Sequence, residues 1–197
     1  MSIHVSAKAS GTVNSASVAR DMVPGATVHV VDSTSTSMHM GFMLIEAIEV
    51  AARGDSVEEA LAAIENTKAH SCLYFTVTEV EHLASSGRTE GAEKATEAAV
   101  SVKPIINVDG VPKAVGAERT QKAALAKVLE LTKARIGDAR VKRLAVVNGN
   151  VPDKAAEWAK EAAAALGYMG DPLIVDFGPA LAVHFGPGLL GVAAQWE

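Results

Sequence analysis

The 197-residue chain has almost no cysteine: Cys72 is the only one. That excludes an internal disulfide framework and fits a reducing, cytoplasmic setting. A lone thiol beside Leu73-Tyr74-Phe75 reads as a small buried hydrophobe. Aromatic residues are scarce at 4%, and the abundant Val, Leu, Ile, Met and Ala can line a long narrow cavity. Basic charge is not in excess either. The 18 Lys and Arg against 23 Asp and Glu leave a net charge of −5, with the cations spread along the chain. Nucleic acid is therefore not expected as a partner, because binding it needs a dense cationic footprint. A long unbroken apolar run is also missing. The most apolar window, LIVDFGPALAVHFGPGLLGVAA, is cut by Asp176, His184, two prolines and four glycines, which argues against a membrane span. The N-terminus lacks a basic stretch followed by an apolar one, so no signal peptide is expected. There is no P-loop, no GxGxxG and no GxSxG, and nothing assembles a nucleophile with a base by spacing.

The length allows one large domain or two small ones. Short runs of Val, Ile and Leu predict strands at 2–5, 27–31, 73–77, 104–108, 142–148, 173–177 and 189–194. Helical patterns lie between most of them, at 12–23, 38–53, 56–70, 119–136 and from Asn150 to Gly167. Ser56-Val57-Glu58-Glu59 has the form of a capping box, and Asp109-Gly110 that of a hairpin turn. Alternating strands and helices through residue 77 predict a parallel sheet, and the hairpin brings antiparallel pairing into the second half. The fold class expected is α/β, in two units with a boundary near 78–103.

Ser10-Gly11-Thr12, between a strand and a helix, could hold an anion on the free N–H groups of the first turn, although a plain helix cap at Ser10 is the commoner reading of such a turn. His184-Phe185-Gly186-Pro187-Gly188 sets an imidazole beside a fixed turn, where it could donate to an anion or move protons, or simply be structural. No second ligand at metal spacing lies near it. Arg119, next to Thr120, and Arg88, after Ser86-Gly87, could each face a carboxylate or phosphate, or solvent. Asp32-Ser33 ends a strand, where a turn of STSTS composition is the plainer reading.

In order, the runs IHVSAKASGTVNSA, VHVVDSTSTSMHMG, LYFTVTEVEHLASSGRT, KPIINVDG, ERTQKA and HFGPGLLG resemble the DegV family over essentially the whole chain. The resemblance implies a two-domain fold. Residues 1–78 would be the remainder of an N-terminal α/β domain with an incomplete parallel sheet, and residues 79–197 a C-terminal α/β domain with a mixed sheet. It also implies a non-enzymatic carrier of one long-chain fatty acid that presents the carboxylate to a separate fatty acid kinase. On that likeness Ser10, Gly11 and Thr12 hold the carboxylate, while Arg119 and His184 sit near the head group or on the docking face. No cofactor and no metal is implied.

The chain departs from the family pattern in lacking its usual N-terminal portion, with a strand ending in Asp-Ser and a Thr-Ser-x-Pro turn. The expectation is that this segment was lost or is supplied separately. Phe185 stands where Thr is usual, Ser86 where Gly is usual and Ala7 where Ser is frequent. The alternative is a structural or interaction remnant whose lipid pocket no longer closes. An enzyme using His184 and Arg119 is a third reading, opposed by the missing nucleotide motif.

Overall fold

The apolar strands sort into a small parallel sheet and a larger mixed one, joined by a helix that packs on both. The computed structural model describes residues 1–90 and 102–197, so the boundary expected near 78–103 lies partly outside the described residues. Ser2–His4 (β1) and Val30–Asp32 (β2) pair in parallel, with Thr12–Asp21 (α1) between them. Ser37–Ala52 (α2) and Val57–Ala69 (α3) follow and pack on each other. The capping box forms as read: Ser56 Oγ accepts from the Glu59 N–H, and the Glu59 carboxylate accepts from the Ser56 N–H at 2.7 Å.

The larger sheet contains Ser71–Thr76 (β3), Lys103–Asp109 (β4), Val111–Glu118 (β5), Val141–Asn148 (β6), Leu173–Asp176 (β7) and Leu190–Trp196 (β8), in the order β5-β4-β3-β8-β6-β7. Only β6 and β7 are parallel; the other pairs are antiparallel, including the hairpin at Asp109-Gly110. β3 lies within residues 1–78, yet it hydrogen-bonds between β4 and β8 at the centre of this sheet. Its reason is burial: five of its six residues are buried, which an isolated edge strand could not achieve. Every residue of β8 is buried as well, so the last strand of the chain completes the middle of the sheet.

Gln121–Ile136 (α5) and Pro152–Leu166 (α6) cover one face of the sheet, over Cys72, Ile105, Leu144 and Val192. On the other face Phe42 of α2 joins Phe75, Val108, Phe177 and Phe185. Two short helices there were not read from the sequence: Glu81–Ser86 (α4) and Pro179–Phe185 (α7). The second is only 7 residues long and is bounded by Gly178 and Gly186 at φ 80° and 77°, so its apolar run looks like a loop in sequence. A third cluster, Val31, Met43, Ala47 and Ile64, fills the space between β2, α2 and α3.

Polar contacts fasten α2 to the large sheet. The Glu46 carboxylate accepts from Lys142 and Arg143 on β6 and from Gln195 on β8, and Arg143 also reaches Glu49 at 2.5 Å. Burial alone would raise the Glu46 carboxyl, but these donors outweigh it and hold it down at about 2.

Candidate functional site

Three turns converge where the two sheets meet. The Ser6 N–H donates to the Ser35 carbonyl at 2.9 Å, joining the turn after β1 to the turn after β2. The Gly110 N–H donates to the Thr34 carbonyl at 2.6 Å, and the Ser6 hydroxyl donates to the Gly110 carbonyl, so the hairpin turn is drawn into the same knot. Asp32 Oδ1 accepts from Thr34 N–H at 2.8 Å and from Ala7 N–H at 3.2 Å, which makes this carboxylate the internal brace of both loops. Thr34 and Ser37 take φ values of 55° and 49°, a left-handed geometry that non-glycine residues hold only when their surroundings enforce it.

Beneath the knot lies a cavity of about 660 Å³. That is within the range of roughly 300–1,000 Å³ usual for small-molecule sites. Its lining includes the polar Ser10, Gly11, Thr12 and Thr36 and the apolar Met40, Val108, Pro112, Phe177, Leu181 and Phe185. Gly11, rather than Ser10, is the N-cap of α1, and no side chain caps the helix. Ser10 Oγ accepts weakly from the Thr12 N–H at 3.3 Å. The start of α1 thus offers N–H groups and two hydroxyls to the cavity. A Cβ on Gly11 would meet no atom within 4 Å, so the space before this turn is open.

The sequence reading missed Thr36, hidden in the STSTS composition. It is the N-cap of α2, is buried, and its Oγ1 has no hydrogen-bond partner. An orphaned buried hydroxyl in a cavity wall is a place for a ligand acceptor. The available signal was its position, a hydroxyl residue between a strand end and a helix start.

His184, on the last turn of α7, lines the same cavity, and so does Arg88. Arg88 Nη1 is 3.4 Å from His184 Nδ1, and burial followed by the Arg88 charge pushes the imidazole below its ordinary value. Gly186 behind it is required: its φ is 77°, and a Cβ would meet the His82 ring at 2.6 Å. Phe185, where the family pattern has Thr, packs its ring edge-on to Phe75 with centroids 5.1 Å apart and forms part of the apolar wall. Arg119 stands elsewhere: it is exposed, precedes the α5 N-cap Thr120, and is not among the residues lining this cavity.

Among the described residues, no group of His, Cys, Asp and Glu could hold a metal ion, and no helix is long and apolar enough to cross a membrane.

The model of a family described as "Uncharacterised protein, DegV family" matches residues 1–197. A DegV domain-containing protein of Streptomyces coelicolor is 34% identical over 196 residues, covering 99% of this chain and 69% of that protein. Protein DegV of Bacillus subtilis is 31% identical, covering 98% and 69%. Among solved structures, a DegV family protein from Thermus thermophilus described by its fatty acid binding superposes with a TM-score of 0.85 at 30% identity, covering 98% of this chain and 69% of that one. DegV of Bacillus subtilis, described as a fatty acid binding protein, superposes with 0.84 at 28% identity, covering 99% and 70%. A stearic acid-binding protein from Eubacterium ventriosum superposes with 0.87 at 25% identity, covering 98% and 69%.

Proposed function

Because the chain belongs to the DegV family, we propose that it binds one long-chain fatty acid, with the carboxylate at Ser10, Gly11 and Thr12. The observation that carries this reading is the mixed lining of the 660 Å³ cavity, which combines the Ser10-Gly11-Thr12 turn and the Thr36 hydroxyl with phenylalanine and aliphatic side chains. Fatty acid binding by the similar Thermus, Bacillus and Eubacterium proteins supports it. Each buried CH₂ contributes about 0.8 kcal/mol, so the tail dominates affinity and the head group sets orientation. The Thr36 hydroxyl adds a donor beside the serine turn, and Arg88, next to His184, supplies positive potential nearby.

In this reading the protein is a carrier without chemistry of its own. It presents the carboxylate to a fatty acid kinase, which makes the acyl phosphate from ATP. His184 lies by the head group, and Arg119, exposed at the start of α5, faces the partner.

A second reading concerns completeness. None of the ten residues of α1 is buried, and Val18, Met22, Leu44 and Ile48 are each about half exposed or more. Exposed apolar side chains of this kind favour a covering segment, of the kind held in the remaining 31% of the Streptomyces relative (100 − 69). In that case the chain alone binds weakly and the covered form binds fully.

The carboxylate position is tested with palmitate labelled with ¹³C at C1. Its carbonyl resonance should move in Ser10→Ala and Thr36→Val and stay unmoved in a Phe177→Leu variant at the tail end. A resonance indifferent to Ser10→Ala and Thr36→Val removes the head group from this turn. Adding an N-terminal segment of a relative in trans tests completeness: unchanged affinity discards the covering segment.

A further inference from the structure

β3 and β4 are paired only over Tyr74–Thr76 and Ile105–Asn107, yet β3 begins at Ser71 and β4 runs on to Asp109. The unpaired ends border a second cavity, of about 280 Å³. Asn107 Nδ2 donates to the Leu73 carbonyl at 3.1 Å, a side-chain bond beside the last rung of the ladder. His39 of α2 lines the cavity with only 5% of its surface exposed. Its Nδ1 is held by Ser35 Oγ at 2.7 Å, while the Val108 backbone lies near the ring without giving Nε2 a hydrogen bond of ordinary geometry. A buried ring nitrogen left so is costly unless a ligand or water meets it.

The charges around this atom are unequal. Lys68 of α3 and Arg135 of α5 line the cavity, against one carboxylate, Asp109. Lys68 is shared with Glu65 at 2.7 Å, which engages one of its three ammonium protons. Arg135 Cζ lies 6.0 Å over the Trp196 ring centroid, at the outer limit of a cation–π contact. The remaining ionisable neighbours stay neutral: burial lifts the Cys72 thiol to about 12 and raises the Tyr74 phenol, and it pushes His39 down to about 4.

We propose that the gap between β3 and β4 binds a small oxoanion of phosphate size, held by the His39 imidazole, the Arg135 guanidinium and the Lys68 ammonium. A tetrahedral oxoanion presents acceptors to all three at once, whereas a cation would meet two like charges. With Nδ1 accepting the Ser35 hydroxyl proton, Nε2–H becomes the donor the anion needs. Free phosphate and a phosphate monoester share this chemistry. The inference does not rest on fatty acid binding, because the site has its own walls; the two cavities share only Val108 and the Ser35–His39 bond.

The test uses the full chain, with inorganic phosphate and methyl phosphate titrated separately at constant ionic strength, while the His39 ring resonances are followed by NMR. Saturable movement of the Nε2 signal is expected, with Arg135→Met weakening phosphate binding about tenfold. Binding of both probes assigns the site to phosphate monoesters as well; binding of inorganic phosphate alone assigns it to the free ion. Arg135 is exposed, so its variant should fold, and Lys68→Met gives an independent check. A non-saturable shift, a shift equalled by chloride, or unchanged affinity in both variants overturns the proposal.

Discussion

Arg88 Nη1 stands 3.4 Å from His184 Nδ1, so two groups 96 positions apart in the chain share one edge of the cavity that Ser10, Gly11 and Thr12 line. A cation this close opposes a second positive charge, and burial opposes it more. The imidazole is therefore neutral at pH 7, and the cationic charge at this edge belongs to Arg88. Arg88→Ala should raise the His184 pKa yet leave it below the ordinary value, because burial remains. An NMR titration of the His184 ring checks this; an unchanged or lowered pKa would show that Arg88 does not act on it.

The two arginines singled out from the sequence should separate cleanly. Arg88→Ala should weaken fatty acid binding several-fold, by about 1 kcal/mol, through loss of a donor near the carboxylate. Arg119→Ala should leave affinity unchanged, since Arg119 does not line the cavity, and slow acyl phosphate formation by a partner kinase. Displacement of a fluorescent fatty acid measures the first pair, and kinase turnover on the loaded chain the last.

Glycine is needed inside the last strand and dispensable at the N-cap of α1. A Cβ on Gly191 would collide with Phe75 and the Tyr74 carbonyl in the centre of the sheet, whereas one on Gly11 meets nothing. Gly191→Ala should cost about 3 kcal/mol in urea unfolding, and Gly11→Ala under 0.5 kcal/mol. A larger side chain at Gly11 should leave stability intact while blocking fatty acid uptake.

Acid should loosen α2 from the large sheet. The Glu46 carboxyl titrates at about 2 in the fold against 4.5 when free, so its contribution is complete above pH 4.5 and disappears as pH falls through about 2. Glu46→Gln should lower stability at pH 7 by about 2 kcal/mol and flatten its decline across that window. A variant curve parallel to the parent between pH 4.5 and 2 would assign the acid sensitivity elsewhere.

Much of this was legible in the residues because it is local. The Ser56–Glu59 box, the Asp109-Gly110 hairpin and the strand and helix runs depend on neighbours a few positions apart. The Ser10-Gly11-Thr12 turn and the placement of His184 at a segment end belong to the same class. What could not be read depends on distant partners. Arg88 meets His184 only through the packing of α4 on α7. Thr36 differs from the other hydroxyls of its run only by being buried without a partner. β3 looks like the third strand of a parallel sheet until β8, more than a hundred residues later, claims one of its edges. α7 was concealed by the glycines and prolines that bound it.

The central claim, that this chain carries one fatty acid, is tested most directly by native mass spectrometry of the protein isolated gently from bacterial cells. The account predicts a stoichiometric C14–C18 fatty acid, released on denaturation and restored by adding palmitate. An intact, folded protein that is empty as isolated and takes up no palmitate, alone or with a covering segment, would contradict it.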